Sequence, residues 1–429
     1  MDQPAAPART IGFWGASLYP VNGMVGAGIF AVPALLAAAV GGFAPWLMLV
    51  GGILFMPIAL VYAWLATRFS HSGGPVLYGE AAFGRFVGFQ AGWGRYASNI
   101  VTAAANTQVM VAYAAALIPA LNNPAAQEIA TIASLVLFMV INLVGLRFAA
   151  GTLGVMTAIK LLPLGALVVA AFFAGDPSAA FAVPKFTLGE NVILLTYYAF
   201  IGFESVAEAA GEVRNPKRVI PVALVTMVSA VTLLYMAVIW AYVAMMPQLT
   251  GGTSDNALVD AGRAAMGHIG GIALVVAAVF SIGANTFSGN TTLPRLAFGM
   301  GERRMLPRWF THVSPRFGTP DYAILFTGIA AIAFGLWEGF AVLAVAGTLV
   351  RLVTYLICSA ALPMLELRDG TLRPFHSAMA IAAFAGSLWV SSFAEIEAWE
   401  AFAAIFACGT LLYFIAARQE PEPVLTEQG

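Results

Sequence analysis

Apolar residues run along this chain in long blocks and do not alternate with polar ones. Twelve such stretches fall near 12–40, 43–67, 88–120, 127–146, 152–174, 190–211, 219–246, 268–293, 322–337, 339–365, 375–394 and 398–416, with short polar connections between them. A hydrocarbon core about 30 Å thick needs about 20 apolar residues per helix. The pattern therefore predicts an all-α polytopic membrane protein with twelve transmembrane helices. Two of the stretches are interrupted. The first runs through Gly23-Met24-Val25-Gly26-Ala27-Gly28-Ile29-Phe30, flanked by Pro20 and Pro33, and the sixth through Tyr198-Ala199-Phe200-Ile201-Gly202-Phe203-Glu204. Glycine there breaks a bilayer-length segment, where an unpaired backbone group costs several kcal/mol unless something binds it. Broken helices at corresponding places in two halves point to a transporter's binding site.

The two breaks divide the chain into halves of five helices, 12–174 and 190–365, followed by a last pair over 375–416. Five crossings put the start of the second half on the opposite face of the membrane, so a duplication of this kind is an inverted repeat. Lys and Arg set the orientation. With the N-terminus inside, fourteen of them fall in inner connections, among them Arg9, Arg68, Arg147, Arg303 and Arg418, against Lys185 and Arg263 outside. Both termini, 1–11 and 417–429, are then cytoplasmic, and the Pro- and Glu-bearing tail reads as disordered. The predicted location is the cell membrane. The long inner connection from Arg295 to Thr319 predicts a short amphipathic helix lying on the membrane face.

Composition supports the membrane reading, with 60% hydrophobic and 10% charged residues and a mean hydropathy of +0.86. The net charge of −1 gives no basis for nucleic-acid binding. Cys358 and Cys408 both fall in predicted helices and make no disulfide framework. His71, His268, His312 and His376 sit in or beside connections, with no metal-ligand cluster and no nucleophile paired to a base. Neither an enzyme nor a cofactor-bearing protein is indicated.

Gly26-Ala27-Gly28-Ile29-Phe30, Phe200-Ile201-Gly202-Phe203-Glu204, Asn215-Pro216 with Arg218 and Pro221, Gly73-Gly74 through Ala82-Phe83-Gly84, Leu306-Pro307 and Gly318-Thr319-Pro320 occur in this order. Together they closely resemble the amino acid, polyamine and organocation (APC) superfamily, over residues 10 to 416. The resemblance implies twelve helices, a five-plus-five inverted repeat and alternating-access transport of amino acids or related amines, in a sodium-independent branch.

An amino acid presents a carboxylate and an ammonium, and the breaks supply a match for each. The helix that restarts at Gly26 to Gly28 offers free N–H groups and a positive dipole end to the carboxylate. Carbonyl oxygens left by the helix that ends at Asn22 to Val25, and by that ending around Phe200 to Gly202, are the expected receptors for the ammonium. Val25, Gly26, Ala27, Gly28, Ile29, Tyr198, Phe200, Ile201, Gly202 and Phe203 are the candidate substrate residues. Glycines at such places either let a ligand approach the backbone or serve close helix packing. Ala27 stands where the family commonly has serine or threonine, which leaves the backbone to bind. Tyr198 matches a gating aromatic of the family.

Lys160 lies up to about 20 Å along its helix from Arg147, and a lysine at the helix centre costs at least about 2.5 kcal/mol. It requires a partner, unless it snorkels to the interface. Sodium-independent members of the superfamily carry a lysine at this place, and the resemblance implies that its ammonium replaces a bound cation and can carry a proton. Ser281 and Asn285 are its expected polar neighbours. Glu204, sharing a face with Glu208, is a candidate gating or protonatable group. Arg95 is expected to snorkel at the inner end, and Arg351 to pair with a carboxylate or helix-end carbonyls. Asn99, Thr102 and Asn106 share one face and are candidates for contact with the substrate side chain. The reading favours a neutral amino acid carried by proton symport or exchange. A polyamine or basic amino acid is the alternative, and a non-transporting sensor is the competing class.

Overall fold

The computed structural model describes residues 11–69, 74–145, 152–181, 192–208, 213–249 and 256–419. The segments 1–10 and 420–429, Arg147, Lys185 and the side chain of Glu208 lie outside the described residues. Fifteen α-helices make up nearly everything described, and the one pairing of strand type is an isolated bridge between Ile11 and Val213. They are α1 (Phe13–Met24), α2 (Ala27–Val40), α3 (Ala44–Arg68), α4 (Gly74–Phe83), α5 (Arg85–Ala115), α6 (Pro124–Val144), α7 (Thr152–Ala174) and α8 (Val192–Tyr198). The chain continues through α9 (Ser205–Glu208), α10 (Pro216–Met245), α11 (Ala257–Glu302), α12 (Asp321–Trp337), α13 (Phe340–Arg368), α14 (Pro374–Ser391) and α15 (Ile396–Arg418).

Seven helical segments among the described residues are long and apolar enough to cross a membrane. Their outer faces are apolar, as lipid-facing helices require: Ile129, Val155, Leu162, Phe172, Leu233, Ile269 and Leu411 are all exposed. Inside, α3 packs on α10, α13 on α5, and α11 on both α5 and α7. These long helices form a frame around the interrupted pairs α1/α2 and α8/α9, which touch one another at the centre.

Local chemistry sets several boundaries. Asn123 caps α6 by accepting the Ala126 N–H at 2.8 Å, worth about 1 kcal/mol. Gly145, at a left-handed φ of 83°, ends the same helix. Asn215 takes a left-handed turn before Pro216 opens α10. The inner connection expected as an amphipathic helix is different: Arg295 to Glu302 continue α11, and only a single short turn at Arg308–Thr311 interrupts the remaining loop. Pro294 within α11 does not stop the helix, because a membrane helix re-satisfies the freed carbonyl through its neighbours.

Candidate functional site

Both breaks fall where glycine interrupts an apolar helix. α1 ends at Met24, Val25 has φ −75° and ψ 79°, Gly26 has φ −123° and ψ −137°, and α2 restarts at Ala27. The second break runs from Ala199 to Glu204, with Gly202 at φ 105°, a conformation that side-chain-bearing residues rarely adopt.

The breaks pack backbone on backbone. A Cβ on Gly23 would lie 2.2 Å from the Gly202 carbonyl oxygen, one on Gly202 would lie 2.5 Å from that of Gly23, and one on Gly28 would lie 2.9 Å from the Ala199 Cα. These glycines therefore bring two broken helices together. Gly26 faces the Asn285 side chain.

Four successive carbonyls at the end of the first helix are taken by side chains from other helices. Asn285 Nδ2 donates to the carbonyls of Asn22 and Gly23, each at 2.8 Å. The Tyr235 hydroxyl donates to Met24 at 2.8 Å. The Val25 carbonyl accepts from both Lys160 Nζ at 3.0 Å and Ser281 Oγ at 2.9 Å. These oxygens thus differ from the sequence-based expectation, which left them for an ammonium ligand. Lys160 is only 2% exposed, so it does not snorkel, and among the described residues no carboxylate pairs with it. Its ammonium and the Ser281 hydroxyl converge on one carbonyl at the tip of a half-helix, where partial negative charge collects.

At the second break, Phe203 N–H reaches the Phe200 carbonyl at 3.4 Å and Ser205 N–H that of Gly202 at 3.2 Å. Among the described residues no donor reaches the carbonyls of Ala199 and Ile201. The first turn of α2 is the complementary feature, since its N-cap, Gly26, supplies no side-chain acceptor and the opening amides of a helix have no intrahelical partner.

Glu204 stands in a buried ion triad. Its Oε1 accepts from Arg95 Nη1 and from Arg351 Nη1, both at 2.6 Å, and its Oε2 accepts the Gly202 N–H at 3.2 Å. Arg351 is anchored further by Ser98 Oγ at 3.1 Å and Asn99 Oδ1 at 2.5 Å. Arg95 does not snorkel; it is buried, 8% exposed, against this carboxylate. Both guanidinium groups thus converge on one carboxylate oxygen. The cluster ties the second break to α5 and α13.

On the other side of the breaks, the Tyr198 hydroxyl donates to Asn106 Oδ1 at 2.5 Å, and Asn106 Nδ2 donates to Asn285 Oδ1 at 3.3 Å. This relay links α8 through α5 and α11 to the carbonyls of Asn22 and Gly23. The Tyr198 ring meets Phe340 edge-on at 5.6 Å. Phe200 stacks on Phe55 at 5.1 Å, and Phe203 sits edge-on to both Phe55 and Tyr62. Both phenylalanines are thereby packed into the core. Of the three polar residues on one face of α5, Asn99 and Asn106 are engaged with protein, and the buried Thr102 hydroxyl has no partner among the described residues.

Residues 11–418 match the model of the amino acid permease family. The chain belongs to that family. Relatives of this permease include a protein of Bacillus subtilis named serine/threonine exchanger SteT, 28% identical over 397 residues, covering 89% of this chain and 90% of the relative. An uncharacterized transporter of Mycobacterium tuberculosis is 29% identical over 343 residues, covering 77% of this chain and 75% of its own length. The protein is a membrane transporter of the amino acid type and not an enzyme.

Sequence reasoning about this permease placed Lys160, Ser281, Asn285, Tyr198 and Glu204 among the candidates; the first three donate to the end of the first helix, Glu204 lies within the second break, and Tyr198 borders it and donates to Asn106. Lys160 and Ser281 meet at a single atom. Sequence reasoning missed Tyr235 as a ligand of the Met24 carbonyl and did not join Arg95 and Arg351 to Glu204. A buried cation inside an apolar helix was the available signal for each arginine.

Proposed function

We propose that this permease is a sodium-independent secondary transporter that exchanges small neutral amino acids by alternating access. The observation that carries the proposal is the convergence of Lys160 Nζ and Ser281 Oγ on the Val25 carbonyl. A fixed ammonium there supplies the positive charge that a bound sodium ion would otherwise bring to the end of α1. The substrate carboxylate is assigned to the amides of Gly26, Ala27, Gly28 and Ile29, with Val25 beside them. Its ammonium is assigned to the carbonyls around Ala199 to Ile201, since those of Asn22 to Val25 already have donors. Thr102 is free to meet the side chain.

Glu204 already accepts from two arginines, so its carboxylate is taken and is not offered to a polyamine or a basic amino acid. A serine/threonine exchanger among the relatives supports small neutral substrates and exchange. The architecture we assign has twelve spans in a five-plus-five inverted repeat. Its halves are α1/α2, α3, α5, α6 and α7, then α8/α9, α10, α11, α12 and α13, with α14 and α15 last and both termini cytoplasmic. Tyr198 with Asn106 forms one gate, and Glu204 with its arginines the other.

The burial of Lys160 without a carboxylate partner favours proton symport as the second reading. Uptake of a labelled amino-acid panel into sodium-free proteoliposomes decides between them. Uptake driven by preloaded unlabelled amino acid supports exchange, and accumulation driven by an inward proton gradient supports symport. Binding without transport under either condition would point to a sensor.

A further inference from the structure

Away from the breaks, α5, α12 and α15 do not close on one another along their whole length. They leave a cavity of about 430 Å³ with apolar walls that include Trp93, Phe326, Ala330, Trp337 and Cys408, and a single charged residue, Glu400. One end is barred by Trp93. Its Nε1–H donates to the Ile405 carbonyl at 2.9 Å, and its ring lies so close to Gly409 that a Cβ there would be 2.2 Å from Nε1. At the other end, Trp337 is the last residue of α12, and Glu400 lies just over one turn into α15. Both are therefore at a membrane interface, where tryptophan is favoured.

The dimensions fit a lipid tail. Phe326 and Trp337 are eleven positions apart on α12, about 16 Å along the axis, close to half of the roughly 30 Å hydrocarbon core. A cavity of about 430 Å³ is too small for a partner helix, since a cylinder about 10 Å across and about 16 Å long occupies roughly 1,250 Å³. Water gains nothing from walls of this kind, whereas a bilayer surrounds the cleft with acyl chains. The lining holds no Lys or Arg to attract a headgroup phosphate, and its one charged residue, Glu400, is exposed near the start of α15. We propose that this cleft is a phospholipid site that takes one acyl chain of a single leaflet and pairs the amino headgroup, of the ethanolamine kind, with Glu400.

Native mass spectrometry of the full chain, extracted in mild detergent, tests this. The wild-type protein is expected to retain one phospholipid with an ethanolamine headgroup. Ala330→Trp and Ala404→Trp, which fill the cleft from two sides, should each abolish retention. Glu400→Gln should keep a lipid but lose the preference for ethanolamine over glycerol headgroups. A second reading leaves the cleft unaltered. Cys408 lines it while Cys358 is buried elsewhere, so adding phosphatidylethanolamine to delipidated wild-type protein should slow maleimide alkylation of Cys408 several-fold. Failure of the wild-type chain to retain lipid, equal retention in both filled variants, or an alkylation rate indifferent to lipid would overturn the proposal. A dimer that the filled variants dissociate would also overturn it and give the cleft to a second copy.

Discussion

The two helix breaks solve one problem in opposite ways. The first spans two residues, and every carbonyl from Asn22 to Val25 is held by a side chain from a distant helix. The second spans six residues, folds on its own backbone turns, and is held from outside by the charge pairing of Glu204 with Arg95 and Arg351. A break held by neutral donors and one lysine is pinned to α7, α10 and α11. A break held by an ion triad depends on a few strong contacts to α5 and α13. Under the proposed function, the first break keeps a lasting structural role, with Lys160 as its built-in cation, and the second takes a movable, gating one.

The largest expected effect comes from the point where the breaks touch. Gly202→Ala places a methyl 2.5 Å from the Gly23 carbonyl oxygen at a φ of 105°. It should abolish amino-acid exchange in proteoliposomes, and ordinary rates would show that the two backbones do not need this approach. Next comes the triad. Arg351→Met leaves Glu204 with one guanidinium, and breaking a buried pair costs about 3–5 kcal/mol, read as a large fall in detergent melting temperature together with lost exchange. Replacing all three charges with apolar residues should recover much of the stability without the exchange, which would separate the latch from the scaffold.

Lys160→Met should lower exchange strongly while leaving the second break intact. If the lost charge is what matters, sodium can restore part of the rate; an unaffected rate would remove Lys160 from the account. Asn285→Ala removes the donors to two carbonyls and the acceptor of Asn106, at about 1 kcal/mol per hydrogen bond, and should reduce exchange roughly a hundredfold. Tyr235→Phe deletes one hydrogen bond and should cost about fivefold or less on the same scale. A Tyr235 effect larger than that of Lys160 would invert the ranking.

The breaks themselves were legible in the sequence because glycine inside a bilayer-length apolar segment is a local signal. Lys160 was legible because a charge deep in such a segment is costly, and Ser281 and Asn285 because one turn separates them on a helix. What could not be read was pairing across the bundle. Glu204 and Arg351 are 147 positions apart and Tyr235 and Met24 are 211 apart, so no periodicity relates them. Tyr235 is also amphipathic and passes as an ordinary core residue in an apolar helix. The glycines had two readings from sequence, ligand approach or close packing, and the contacts of Gly23, Gly28 and Gly202 support packing between the breaks. Arg295 to Glu302 read as the start of a connection in the sequence, whereas the structure continues α11 through them.

Ion requirement tests the central claim most directly. Counterflow of serine, threonine and other neutral amino acids would be measured in proteoliposomes of the wild-type permease, with sodium on both sides and with sodium replaced by choline. The account predicts equal exchange rates in the two media, because Lys160 already places a positive charge on the Val25 carbonyl. Exchange that appears only with sodium would contradict it.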